Sequence, residues 1–129
     1  MSALNQALST ALEFFMRAPS GRTAWILLFS ASTFEVGFAV MLKYSEGFTK
    51  IIPSIFVCVF AILSFAFLNL SIRTLPVGTA YAIWTGIGAL GVATYGILVF
   101  NEPFEAARIV CLLFILIGIV GLPLLSNRP

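Results

Sequence analysis

Five of the 129 residues are acidic, all of them glutamates, and one, Glu35, falls inside a long apolar run. Glu13, Glu46, Glu102 and Glu105 lie outside such runs or at their ends. A carboxylate carried into hydrocarbon costs several kcal/mol unless it is paired, protonated or open to a cavity, so an acid at that depth marks a functional site by default. No Lys or Arg lies within any apolar run to neutralise it. Loss of water favours the neutral, protonated carboxyl, which makes Glu35 a proton carrier and, once ionised, a site for a cation. The competing reading is a structural acid kept permanently protonated.

Helical spacing places Ser32 and Phe38 three residues either side of Glu35, on its face. Further along, Tyr81, Trp84 and Thr85 share a face by the same rule. Aromatic ring faces attract organic cations, and a phenol hydroxyl or indole N–H can donate to a carboxylate. A glutamate with a Tyr and a Trp is therefore a cation-binding set. The alternative is that Tyr81 and Trp84 are belt residues at the membrane–water interface. Ser64, inside a second apolar run, is a candidate polar orienter, although an isolated intramembrane Ser commonly bonds back to its own helix. Residues 86–91 match the G-x-G-x-x-G dinucleotide pattern, but that fingerprint needs a preceding strand and a βαβ unit, and here it sits in an apolar helix. Gly86, Gly88 and Gly91 serve better in close helix packing and as a point where the helix can bend.

These residues need a scaffold, and composition says which. Apolar residues make up 60% of the chain, 9% are charged and mean hydropathy is +1.09, so the bilayer is the solvent. The absence of histidine removes Ser-His-Asp and Cys-His catalysis and His-based metal sites. Cys58 and Cys111 lie in apolar runs and read as buried thiols rather than a disulfide or a metal pair. A net charge of +2 scattered over ends and turns is no nucleic-acid footprint. No metal or cofactor is expected.

Apolar runs at 24–42, 53–70, 77–100 and 106–122 are each long enough to span a ~30 Å hydrocarbon layer as a helix. The expected fold is an all-α membrane protein of four transmembrane helices, with residues 23–129 as the membrane domain. Polar or helix-breaking residues mark each junction: Lys43 to Gly47, Arg73 to Pro76, and Asn101 to Pro103, with Pro53 tolerated near a helix start. Glu35, twelfth in the first run, then lies ~16 Å from its start, near the midplane. Residues 1–22 form a separate extension whose Leu4, Leu8, Leu12 and Phe15 share one helical face, which fits either an interfacial amphipathic helix or a disordered tail. It lacks the basic start of a signal peptide, and no cleavage is expected.

Loop charges do not choose an orientation. Arg17, Arg22, Arg73 and Arg128 fall on one side, and Lys43, Lys50 and Arg108 on the other. So small a bias permits insertion both ways, unless Arg17 and Arg22 alone hold the N-terminus in the cytoplasm. Four helices fill their own interior, so a water-filled route calls for a second copy, and two oppositely inserted copies would have the pseudo-two-fold symmetry of inverted-repeat transporters. Two Glu35 carboxyls would then meet at one site and titrate as a coupled pair.

Over about residues 25–125 the chain resembles the small multidrug resistance transporters. The resemblance rests on Phe34-Glu35-Val36, on residues 43–49, and on residues 76–89. It implies an antiparallel, dual-topology homodimer in the inner cell membrane that exchanges protons for cations at a shared glutamate, Glu35, with Tyr81 and Trp84 lining the site. Residues 78–89 and Glu102-Pro103 are more similar to the guanidinium-exporting subtype than to the quaternary-ammonium subtype, and Ser64 matches the former's site serine. Phe38 stands where that subtype usually has Trp, Ser32 stands where Gly is usual, and the first 22 residues have no counterpart. The expected partners are a small organic cation, protons, the lipid bilayer and a second copy. Two rival readings are a quaternary-ammonium or lipophilic-cation exporter, and a non-transporting membrane subunit or lipid-binding partner in which Glu35 pairs with a basic residue of another protein. An enzyme would need a second reactive group near Glu35, and the sequence offers none.

Overall fold

The computed structural model describes residues 1–126, all in helices and short connections: α1 (Ser2–Met16), α2 (Gly21–Tyr44), α3 (Ile51–Ser71), α4 (Val77–Val99) and α5 (Ala106–Ser126). Arg128, counted above among the flanking charges, lies outside the described residues. Helices α2 to α5 are the four long and apolar enough to cross a bilayer. Each exceeds its expected run by a residue or more except α4, which ends at Val99. At α2 the extra length follows from capping, because Ser20 Oγ accepts the Thr23 N–H at 3.4 Å and starts the helix at Gly21. At α5 the helix continues through Pro123, whose missing N–H ends most water-exposed helices, on to Ser126.

Connections are tight. Between α2 and α3 the backbone turns through left-handed conformations at Glu46, Gly47 and Phe48 (φ 48°, 70° and 66°). Buried Ser45 organises this corner: its Oγ donates to the Leu42 carbonyl at 2.7 Å and accepts the Phe48 N–H at 3.3 Å. Only Gly adopts such backbone without cost, so the two flanking non-glycine residues are held by that network.

α2 is the central helix and packs along both α3 and α4, while α5 packs chiefly on α4. Burial inside the chain follows that order: 28% of the apolar window is buried in α2 and in α4, 17% in α3 and none in α5. Lipid is as apolar as Leu, so helices in a bilayer associate through close packing rather than expulsion of water. The α2–α4 seam shows this. A Cβ on Gly91 would collide with the Val36 side chain, and one on Gly86 would sit 2.8 Å from Ile119 of α5. Gly37 lets Phe60 of α3 approach to 3.0 Å of where its Cβ would be. The buried cluster is Leu28, Ala31, Leu68, Ala80, Ile83 and Trp84, drawn from α2, α3 and α4.

The first helix is ordered as a helix, though none of its residues is buried. Cys58 and Cys111 are free and face outward from the bundle, not into its core as expected. Both lie on span-length helices whose outward faces are apolar and exposed, so apolar sequence around them does not signal packing inside the chain.

Candidate functional site

Glu35 stands within about 4 Å of the midpoint of α2 by helical rise. Its Cγ lies against α4 at Gly88, where a Cβ would approach to 3.1 Å. From α3, Ser64 reaches across rather than back to its own helix: its Oγ lies 3.1 Å from Glu35 Oε2 and 2.9 Å from the Ala31 carbonyl. From α4, the Trp84 indole N–H donates to Ser64 Oγ at 2.9 Å. Three helices thus converge on one hydroxyl. Ser64 is fully buried and Trp84 nearly so, at 0% and 4% exposure.

A serine hydroxyl has one proton, so Ser64 can satisfy only one of its two acceptors at a time. When Glu35 is ionised, Ser64 donates to the carboxylate. When Glu35 is protonated, the carboxyl can donate to Ser64 Oγ, and the serine proton serves Ala31. The hydrogen-bond chain therefore has a satisfied arrangement in either protonation state. Among the described residues no Lys or Arg forms an ion pair with Glu35, which leaves its charge available to a mobile cation.

The remaining sequence candidates divide. Tyr81 is 55% exposed, and its ring packs on Trp84 with centroids 5.3 Å apart. Phe38 is half-buried one turn past Glu35; it joins neither the hydrogen-bond chain nor, among the described residues, any ring pair. Ser32 is fully buried and donates its hydroxyl proton to the Leu28 carbonyl at 2.8 Å rather than to Glu35. Thr85 likewise bonds back, to Tyr81 at 2.9 Å. Gly86 and Gly91 lie at helix contacts with α5 and α2, Gly88 lies against Glu35 itself, and α4 runs through all three as one helix.

Sequence reasoning missed Phe65 of α3, whose ring lies 5.6 Å from Trp84, and the Ala31 carbonyl. Neither has a sequence signal. It also missed a second carboxylate site at the far end of α4. There Glu102 accepts from Arg108 Nη2 at 2.6 Å and lies 3.6 Å from Lys43 Nζ, and Lys43 sits 4.0 Å above the Phe100 ring. Arg108, hydrogen-bonded to it, holds the Glu102 carboxyl below the ordinary glutamate range, against a smaller opposing effect of burial. The signal was present only in part, as Lys43 and Arg108 assigned to one side of the membrane and Glu102 placed in the junction before the last span.

Comparison with known proteins fits this geometry. The profile of the Small Multidrug Resistance protein family matches residues 23–115, a stretch that holds Glu35, Ser64, Tyr81 and Trp84. The chain is 48% identical over 103 residues to a guanidinium exporter of Proteus vulgaris, covering 80% of this chain and 99% of the relative. It is 50% identical over 104 residues to guanidinium exporters of Citrobacter freundii and Salmonella typhimurium, covering 81% of this chain and 99% of each. With four span-length helices and a profile match over most of its length, the chain is a multi-pass membrane protein that belongs to the small multidrug resistance family of transporters.

Proposed function

We propose that the protein exports guanidinium or small guanidinylated cations in exchange for protons, across the inner cell membrane, as an antiparallel homodimer whose two Glu35 carboxyls form the shared site. The observation that carries the reading is the Trp84–Ser64–Glu35 chain, which holds a mid-span carboxylate in place with, among the described residues, no cation of its own. Identity of about half to proteins named guanidinium exporters supports the cargo. A planar guanidinium matches a carboxylate through two parallel N–H···O bonds, and an exposed Tyr81 ring beside Trp84 offers a face on which it can stack.

Exchange follows from competition. A cation entering a low-dielectric site needs an anion, and hydrocarbon favours the protonated form of that anion, so cation binding must release protons. If the site opens to one side at a time and crossing with both ligands absent is disfavoured, an inward proton gradient drives the cation out. Bending of α4 near Gly86, Gly88 and Gly91 is the proposed hinge. Two features support a pair of oppositely inserted copies. Flanking basic residues among those described balance, with Arg17, Arg22 and Arg73 at one end and Lys43, Lys50 and Arg108 at the other. Helix α5 also leaves Leu113, Phe114, Ile117 and Val120 more than half exposed.

The test is electrical: current from the reconstituted protein under a proton gradient, screened over guanidinium, alkylguanidines and tetraalkylammonium ions. Larger currents with guanidinium are expected. Larger currents with tetraalkylammonium would assign the quaternary-ammonium reading instead, and no current with any cation would remove the transport reading. Dual insertion is tested by single cysteines in the loop between Lys43 and Lys50, with Cys58 and Cys111 replaced; labelling from both sides of intact cells is expected, and labelling from one side would eliminate the antiparallel homodimer.

A further inference from the structure

Helix α1 is outside the segment matched by the family profile, and neither the Glu35 site nor the bundle core uses it. It is nevertheless highly organised. Wound at about 100° per residue, it collects Leu4, Ala7, Leu8, Ala11, Leu12 and Phe15 on one half of its circumference and Ser2, Asn5, Gln6, Ser9 and Glu13 on the other. The large members of the apolar half stay 43% to 61% exposed. Met16 falls among the polar residues and Phe14 at the edge of the stripe, but the stripe itself, none of it buried against its own chain, needs an apolar surface elsewhere.

Its attachment fixes where that surface is. Residues 17–20 alone separate α1 from α2, which begins its span at Gly21. The turn between the α3 and α4 spans grips the same end, for Arg73 donates to the Phe15 carbonyl and Thr74 Oγ1 donates to the Pro19 carbonyl at 2.6 Å. Arg73 thereby satisfies a carbonyl that the end of α1 leaves unpaired, at the negative end of the helix dipole. The C-terminal end of α1 is thus fixed at the level where spans leave the hydrocarbon. Thr10, Glu13, Phe14 and Arg17 line a cleft of about 640 Å³ with Leu27 and Leu70 of the bundle, so the Leu stripe, on the other side of the helix, is turned away from the bundle.

We infer that α1 lies in the bilayer surface as an interfacial helix, its Leu4, Leu8, Leu12 and Phe15 stripe among lipid chains and its C-terminal end held by Arg73 and Thr74. The partner is the phospholipid bilayer itself. Glu13 offsets Arg17 on the polar flank, so immersion rests on the apolar stripe and does not require anionic lipid. This inference depends on the spans being in a membrane and is independent of the cargo.

The test uses the full chain with Cys58 and Cys111 replaced by Ala, spin-labelled singly at Leu8→Cys or Ser9→Cys, and reconstituted in phosphatidylcholine vesicles with and without phosphatidylglycerol. Relaxation by oxygen reports contact with lipid, and relaxation by a water-soluble nickel chelate reports contact with water. A severalfold higher oxygen-to-nickel ratio at position 8 than at position 9, in both vesicle types, is expected. Leu4→Asp with Leu12→Asp should remove the difference while the labelled protein still incorporates. Equal nickel contact at both positions would show a helix free in water and overturn the inference. So would protection at position 8 that appears only with phosphatidylglycerol, which would make charge the driver, or protection that disappears on dilution with lipid, which would make a second protein copy the partner.

Discussion

Glu35 and Glu102 both press against a glycine of α4, Gly88 and Gly96, eight residues or roughly 12 Å apart along one helix. Their surroundings are opposites. Glu102, in the turn before α5, is held between Arg108 at 2.6 Å and Lys43 at 3.6 Å, and ties the ends of α2, α4 and α5 together. Glu35, at mid-span, has a neutral hydroxyl 3.1 Å away and, among the described residues, no ion pair. A carboxylate whose charge is already matched by the protein is a clasp, whereas one matched only by hydrogen bonds at membrane depth must take its cation or its proton from outside. On the proposed reading, the difference between a structural and a transporting acid lies in the partners and not in the residue.

Neutralising each acid in turn separates these roles most sharply. Glu35→Gln keeps shape and hydrogen-bonding capacity but removes the exchangeable charge, and should abolish the proposed proton-coupled transport while the protein remains folded. Glu102→Gln should leave guanidinium transport within severalfold of wild type and lower thermal stability in detergent. Equal loss of transport in both variants, measured as currents in proteoliposomes, would erase the distinction.

Removing the hydroxyl is expected to have the next largest effect. Ser64→Ala takes away the group that orients Glu35 and receives the Trp84 N–H, leaving a buried indole donor unpaired. A loss of about 1–2 kcal/mol, or roughly 5- to 30-fold in cation affinity, is expected from calorimetry. The corresponding loss for Ser32→Ala should be near zero, because that hydroxyl is spent within α2. A loss for Ser32 equal to that for Ser64 would return Ser32 to the site.

The two glycines extend the comparison to the backbone. A Cβ at Gly88 would stand 3.1 Å from Glu35 Cγ, and one at Gly96 would stand 2.6 Å from Glu102 Oε2. Gly88→Ala should therefore slow transport severalfold with a smaller change in stability, and Gly96→Ala should do the reverse. Turnover and melting temperature, measured on both variants, would show whether the effects cross over in this way.

The smallest effect expected is the acid sensitivity of the clasp. Arg108 and Lys43 lower the folded-state pKa of Glu102 relative to its unfolded value. A depressed carboxyl contributes stability that is present above the unfolded value and lost as pH falls through the folded one. Wild-type protein should thus lose a small increment of thermal stability below the ordinary glutamate range, near pH 4.5 and lower, and Glu102→Gln should lack that increment. Identical acid profiles for the two would show that the clasp contributes nothing measurable.

Much of the arrangement was legible in the sequence, for identifiable reasons. Four apolar runs could be placed because the bilayer imposes a length, and Glu35 stood out because no other acid shares its depth. Trp84 and Tyr81 could be paired with each other by helical spacing, but the bridge from Trp84 through Ser64 to Glu35 joins residues 20 and 29 positions apart and depends on how three helices cross. Ser32 and Phe38 show the limit from the other side, since sharing a helical face with Glu35 does not decide whether a side chain is spent on its own helix. Cys58 and Cys111 mislead for a related reason: apolar neighbours signal burial in protein when the solvent is water, and say little when the solvent is lipid. The grip of Arg73 on α1 was hidden because an arginine beside a span reads first as a topology signal.

The central claim is that one charge, on Glu35, is shared between protons and the cation. It is tested most directly by calorimetric binding of guanidinium to the purified wild-type protein from about pH 5 to pH 9. Protonation removes the anion that the cation needs, so affinity should weaken as pH falls, by up to about tenfold per pH unit for each proton displaced. Affinity independent of pH over that whole range would contradict it, and would place the cation at a site that Glu35 does not control.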